Sequence, residues 1–150
     1  MELSKLGVFF LFLFTETGGS MRPKILAPAG DWKSLLVAVE CGADIVYLGG
    51  KHFNARQYAE NFTLEEIGEA VKLAHRRGVE VYVAVNTLVF DEEMEEAAGY
   101  LEALHNMKVD AVIFQDLAIL ELGKRPRGLK LVASTQTTTH SLDGVRFFEK

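Results

Sequence analysis

The chain is poor in cysteine: Cys41 is the one thiol in 150 residues. That excludes an internal disulfide and any metal site assembled from several cysteines of this chain. It also sets a reducing, cytoplasmic location as the expectation. Neither sign of charge dominates. Lys and Arg number 16 against 21 Asp and Glu, for a net charge of −5. A chain so balanced has no global attraction to nucleic acid, although a local basic patch stays open. Long apolar runs are missing as well. The block Gly7–Phe14 falls short of the roughly 20 residues that a membrane-spanning helix takes, so no membrane partner is expected. Lys5 precedes this block, but Glu2 and Glu16 flank it and no small-x-small cleavage pattern follows, which argues against a signal peptide. Three signatures of chemistry are absent too. There is no His-Glu-x-x-His of the common zinc proteases, no Gly-x-Ser-x-Gly elbow around Ser134, and no dinucleotide fingerprint.

What is present is a repeating unit. Lys24–Ala27 is a short apolar run broken by Pro28-Ala29-Gly30. Asp31 is a good N-cap for a helix carrying Leu35, Leu36 and Val39 and ending near Gly42. Asp44–Leu48 is a second strand, closed by Gly49-Gly50. A strand, a helix and a strand in that order make a parallel crossover. The pattern then continues. Residues 51–62 form a long loop holding His52, Asn54, Arg56 and Tyr58. Thr63 and Glu66 form a capping box for a helix bearing Leu64, Ile67, Val71 and Ala74. Val79–Val85 alternates as a strand, and Asp91 is expected to cap a helix whose buried face is Met94, Ala97, Ala98, Leu101 and Leu104. The acidic run Glu92, Glu93, Glu95 and Glu96 suits the positive end of that helix, not a metal. Val109–Phe114 is a fourth strand and Leu117–Leu122 a short helix. The basic turn Lys124–Gly128 leads to a fifth strand, Leu129–Ala133, and Ser141 caps a final helix.

Five β-α units without a dinucleotide fingerprint predict an α/β fold that is a partial, truncated (β/α)8 TIM-like barrel, because a whole barrel takes about 250 residues. A five-stranded doubly wound parallel sheet is the alternative. Residues 1–20 read as an N-terminal extension, with Met21 as the natural start, and 21–150 as the N-terminal part of a barrel domain. The open edges of such a sheet predict self-association or a complementing chain.

In this class of fold ligands gather at the C-terminal ends of the strands. Those ends carry Asn86, Gln115, Asp116, Ser134, Thr135 and Gln136. Asn86, Gln115 and Gln136 are neutral amides that bind and orient through both donors and acceptors. With Ser134, and with Arg56 as a clamp for phosphate or carboxylate, they are the expected substrate-binding residues. Candidates for acid–base work are Asp116, His52 and His140, of which Asp116 serves equally as the N-cap of the next helix. His75 and His105 fall near helix ends and read as solvated, and Cys41 as a thiol away from the ligand face. No metal ligand set is expected.

Taken together, Leu26-Ala27-Pro28-Ala29-Gly30, Gly42–Gly50, Phe53-Asn54-Ala55-Arg56, Val85-Asn86-Thr87, Phe114-Gln115-Asp116 and Ala133-Ser134-Thr135-Gln136 resemble, in order and spacing, the N-terminal half of the collagenase-like peptidase family U32. The resemblance runs from about Met21 to the end. It implies a parent enzyme, either a peptidase or hydrolase or a protein of oxygen-independent hydroxylation acting on a tRNA or rRNA base or in ubiquinone synthesis. It implies a polar substrate accordingly: a peptide, an RNA base or a quinone precursor. In the hydroxylation branches cysteines of the C-terminal half hold an iron–sulfur cluster, and none of those cysteines lies in this chain. After Gln136 the chain departs from the family, with Thr137-Thr138-Thr139-His140 standing where a Met and an Asn are expected. Besides the enzyme, an inactive truncated product or a binding module remains a reading of the isolated chain.

Overall fold

The computed structural model describes residues 12–13, 22–56, 59–126 and 128–148. Tyr58, Arg127, Met21, Lys150 and most of the N-terminal extension lie outside the described residues. Six strands lie in one sheet in chain order: β1 (Phe12–Leu13), β2 (Lys24–Ala29), β3 (Ile45–Gly49), β4 (Glu80–Val85), β5 (Ala111–Phe114) and β6 (Lys130–Ala133). The short β1 runs antiparallel to β2, and β2 to β6 are parallel. Between them come α1 (Trp32–Glu40), α2 (Leu64–His75), α3 (Met94–Asn106) and α4 (Leu117–Gly123), and α5 (Leu142–Phe148) follows β6.

Side-chain alternation sorts the sheet into two faces. One core contains Val46, Leu48, Val81, Val83, Val85, Val112 and Phe114 together with Leu35 and Val39 of α1, Ile67 and Val71 of α2, Leu101 and Leu104 of α3, and Ile119 and Leu122 of α4. The opposite face holds a small cluster of Leu26, Ile45, Tyr82 and Ala111, backed by Tyr47, Ile113 and Val132, with no helix residue in it. Successive parallel strands in sequence order with helices on one face are a sector of a (β/α) barrel. A doubly wound sheet reverses its strand order and carries helices on both faces.

Two expected boundaries move. The first strand does not break at Pro28 but runs through it to Ala29, with Pro28 opposite Tyr47. Among the described residues, β2 meets β1 on its other side only at Lys24 and Ile25. No described strand lies beside Pro28 there, and at such an edge a missing N–H costs no ladder bond. Asp91 does not cap a helix. It opens a 3-10 turn, Asp91–Glu93, ahead of α3, and Glu93 Oε2 accepts from the Phe90 N–H at 2.9 Å. The other caps form as expected. Asp31 Oδ1 accepts from Ser34 N at 2.6 Å, Thr63 and Glu66 form the reciprocal capping box, and Ser141 Oγ accepts from Gly144 N at 3.1 Å. Cys41 is exposed at the C-terminal end of α1.

Candidate functional site

The helix-free face of the sheet is concave, and its upper half is a cavity of about 540 Å3. Its floor and walls come from inward-pointing strand residues, among them Tyr47, Tyr82, Ile113 and Val132. Its rim comes from the 51–62 loop and from the ends of β4 and β6. No carboxylate, imidazole or thiol is among its described lining residues.

Gly49 makes the rim possible. A Cβ placed there would lie 1.9 Å from Asn54 Nδ2, so the space of a side chain on β3 is filled by Asn54 instead. Asn54 is buried. Its Nδ2 donates to Asn61 Oδ1 at 2.8 Å, and its Oδ1 accepts from Arg56 N at 3.2 Å. Asn61, held at a φ of 49°, donates from Nδ2 to the carbonyls of Arg56 at 2.8 Å and Ala59 at 3.2 Å. This mesh shapes the loop and presents Arg56, whose guanidinium sits 5.9 Å from the Tyr47 ring centroid and donates to the Tyr47 hydroxyl at 3.4 Å. On the facing wall Asn86 Nδ2 donates to Gln136 Oε1 at 2.6 Å, and Asn86 Oδ1 accepts from Ala55 N at 3.2 Å. The ends of β4 and β6 are thereby tied to each other and to the loop. Ser134 is buried, and its Oγ accepts from Gln136 N at 3.2 Å at the start of a 3-10 turn, Thr135–Thr137.

Below the cavity the inner face is charged. Lys24 and Glu80 form a short ion pair, the Tyr82 hydroxyl donates to Glu80 Oε2 at 3.1 Å, and Lys130 Nζ donates to the Tyr82 hydroxyl at 3.0 Å. Burial pushes the Glu80 carboxyl up, but the hydrogen bonds from Lys24 and Tyr82 and the charges of Lys24 and Lys130 outweigh it and hold it below the ordinary carboxylate range. The hydrogen bond to Glu80 raises Lys24. Burial raises the Tyr82 phenol.

The structure thus brings four of the expected binding residues, Arg56, Asn86, Ser134 and Gln136, to one cavity. Gln115 follows β5 half-buried and does not line it. The three acid–base candidates stand elsewhere. Asp116 Oδ1 accepts from Ala118 N at 2.8 Å as the N-cap of α4, and its Oδ2 accepts from Val89 N at 3.1 Å. Both carboxylate oxygens are therefore engaged by backbone. His52 is exposed, pairs with Glu96 at 3.1 Å, and borders a separate hollow of about 240 Å3 with Tyr100 and the start of α2. His140 is exposed, its Nδ1 2.6 Å from the Thr138 carbonyl. Tyr47, Tyr82 and Asn61 were not among the expected site residues. Strand alternation back from Gly49 places Tyr47 on the cavity face, whereas Asn61 carries no periodic signal. Among the described residues no group of three His, Cys, Asp or Glu side chains is placed to hold a metal ion.

Fold and cavity together define an α/β barrel sector with a cavity at its C-terminal strand ends. The model of peptidase family U32 matches residues 30–150, and the chain belongs to that family. It is 40% identical over 131 residues to the 23S rRNA 5-hydroxycytidine C2501 synthase of Escherichia coli, covering 87% of this chain and 20% of that protein. It is 36% identical over 130 residues to the tRNA hydroxylation protein P1 of Bacillus subtilis, with 86% and 31% covered. It is 30% identical over 128 residues to a protein named collagenase from Porphyromonas gingivalis, with 85% and 31% covered. The chain therefore spans a third or less of these relatives' own length. A solved structure of a U32 peptidase superimposes with a TM-score of 0.71 at 17% identity, over 90% of this chain and 57% of that one, and supports the fold. No helix among the described residues is long and apolar enough to cross a membrane.

Proposed function

We propose that this chain is the substrate-holding sector of a U32 enzyme that hydroxylates a pyrimidine base of RNA. The observation that carries the proposal is the character of the cavity wall: neutral carboxamides, aromatic rings and one guanidinium, with no acid, imidazole or thiol among the described lining residues. Such a wall recognises a planar polar group and supplies neither a general base nor an activated nucleophile for cutting a peptide bond. Tyr47 offers an aromatic ring and Arg56 a guanidinium 5.9 Å from its centroid, the two kinds of group against which unpaired bases stack. The names of the relatives in Escherichia coli and Bacillus subtilis point the same way.

Replacing a ring C–H by C–OH needs an oxygen-atom source and an acceptor for two electrons, and both would come from outside this chain. Its residues do not fit an iron–sulfur cluster, since Cys41 is solitary, exposed and at the end of α1 remote from the cavity. Any cluster of the whole protein would take its thiolates from other residues. The second reading is peptide hydrolysis, favoured by the collagenase relative, and its nucleophile or metal ligands would likewise lie outside the described residues. Nucleoside mass spectrometry of total RNA from cells with and without the gene separates the two readings. Loss of a pyrimidine one oxygen heavier than its parent is the expected result. Unchanged nucleosides, together with cleavage of gelatin by the purified whole protein, would sink the proposal.

A further inference from the structure

The polarity of the cavity wall is fixed by backbone groups, and this sets what kind of ligand edge can face it. A backbone N–H can only donate. The Ala55 N–H, 3.2 Å from the Asn86 side chain, therefore fixes which end of that carboxamide is oxygen. Asn86 must then offer Nδ2 to Gln136, which must answer with Oε1, at 2.6 Å. The Ser134 hydroxyl lies 3.4 Å from the same Oε1 and turns the oxygen end of Gln136 further toward the wall. What remains is the second N–H of Asn86 and both N–H groups of Gln136 Nε2, for which no described residue is an acceptor. The same logic runs along the rim. Carbonyls of Arg56 and Ala59 fix Asn61 Nδ2, so Asn61 offers oxygen to Asn54, and the oxygen of Asn54 is taken by Arg56 N. Arg56 itself has only donors. Amides that look ambivalent in sequence thus leave free donors at Asn86 and Gln136, beside the donors of Arg56, with no carboxylate among the described lining residues.

We infer that Asn86 and Gln136 form a locked donor pair that determines specificity: they read acceptors of the ligand, such as the carbonyl oxygens of a pyrimidine base. As a statement about a nucleobase, this rests on the reading of the cavity as an RNA-base site. As a statement about the wall, it stands without that reading. A site built of donors rejects a ligand of the same shape that lacks acceptors, because its N–H groups are then left unpaired.

The test uses the full chain and two uncharged probes, followed through the side-chain amide 1H–15N signals of Asn86 and Gln136. One probe is uridine, compared with its difluorotoluene shape mimic, which forms no comparable hydrogen bonds. The other is a blocked dipeptide, N-acetylated and C-amidated. The informative variant is Gln136→Glu. The carboxylate it introduces still accepts from Asn86, so the tie between β4 and β6 is kept, yet both free donors become acceptors. Asn86→Asp is the second variant. It still accepts from Ala55 N but forces Gln136 to turn its oxygen to the cavity.

The expected result is that uridine binds at least roughly tenfold more tightly than the mimic, the scale of one hydrogen bond left unmade. Either variant should erase that preference while the circular dichroism spectrum stays unchanged. If uridine fails to bind while the dipeptide binds and loses affinity in Gln136→Glu, the donor wall stands and the nucleobase reading falls. If a probe binds and both variants leave its affinity within twofold, or if neither probe binds, the inference is overturned.

Discussion

The inner face of the sheet is built in two ways at its two ends. The lower end, where the strands begin, is charged: Lys24, Glu80 and Lys130 interlock through Tyr82. The upper end, where the strands finish, is neutral: Asn54, Asn61, Asn86 and Gln136 interlock through amides and backbone. An ion network satisfies itself and leaves little to offer a ligand. An amide network anchored on backbone carbonyls and N–H groups keeps some of its donors unspent. The difference suggests that the lower end closes the barrel interior and the upper end receives.

The sharpest way to break the upper end is Gly49→Ala. The new Cβ would meet Asn54 Nδ2 at 1.9 Å, and Asn54 is only 3% exposed and held in place by hydrogen bonds to Asn61 and from the Arg56 N–H. Its expulsion takes away the support of Asn61 and the Arg56 backbone. The expected loss is about 1–3 kcal/mol in urea unfolding, together with loss of ligand binding. A variant as stable as the parent would show that the rim does not depend on this close approach.

Next in size is Asp116→Ala, which tests whether a carboxylate at the upper end serves the site or the scaffold. Both of its oxygens hold backbone N–H groups, those of Ala118 and Val89. Removing them should cost about 1–2 kcal/mol, the range for a lost N-cap, with binding in the cavity unchanged. A stable protein that has lost binding or turnover would give Asp116 back its role in the site.

How much of this was legible beforehand follows from which interactions have a period. The strands and helices were read from apolar alternation and from caps such as Asp31, Thr63 and Ser141, each of which repeats or sits at a fixed offset. Asn86, Ser134 and Gln136 were found because a barrel puts the ends of its strands on one rim. Gln115 sits at the equivalent position, one residue past β5 as Asn86 is one residue past β4, yet stays off the cavity lining: Asn86 is held at the rim by the Ala55 N–H and Gln136, whereas no described residue hydrogen-bonds the Gln115 side chain. Asn61 was missed because its contacts with Asn54, seven residues away, and with the Arg56 and Ala59 carbonyls belong to an irregular loop. The strand through Pro28 was missed because tolerance for proline depends on an edge that only the assembled sheet reveals.

The lower end is probed by pH. Glu80 is held below its ordinary 4.5, so its contribution is complete above that value and is lost as pH falls through the folded one. Lys24 is raised above 10.5, so its contribution is complete below that value and is lost as pH rises through the folded one. Between those limits Glu80→Gln should lower stability by no more than about 1 kcal/mol, because the pair is roughly one-third exposed and screened by water. The gap between parent and variant should close in acid, as the parent's own Glu80 becomes protonated. A gap that persists unchanged well below pH 4.5 would mean that the variant's cost is one of packing and not of charge.

The smallest effects belong to His52 and His140, and they bear on the comparison because both sit outside the two networks. His52 pairs with the exposed Glu96, and His140 Nδ1 lies beside a neighbouring carbonyl in its own turn. Exposed contacts of this kind are typically worth under about 0.5 kcal/mol. His52→Ala and His140→Ala should therefore leave both the urea midpoint and uridine binding within error of the parent. The two variants should also agree with each other, although His52 belongs to the loop that forms the rim and His140 to the segment after β6. A loss of turnover in the whole protein from His140→Ala, with binding intact, would mean that the segment from Thr137 to His140 turns toward the cavity during reaction. The site would then have a proton-transfer group that the amide wall lacks. Unchanged turnover in both variants would remove the two histidines from the acid–base work, in keeping with the proposed role of this chain in holding the substrate.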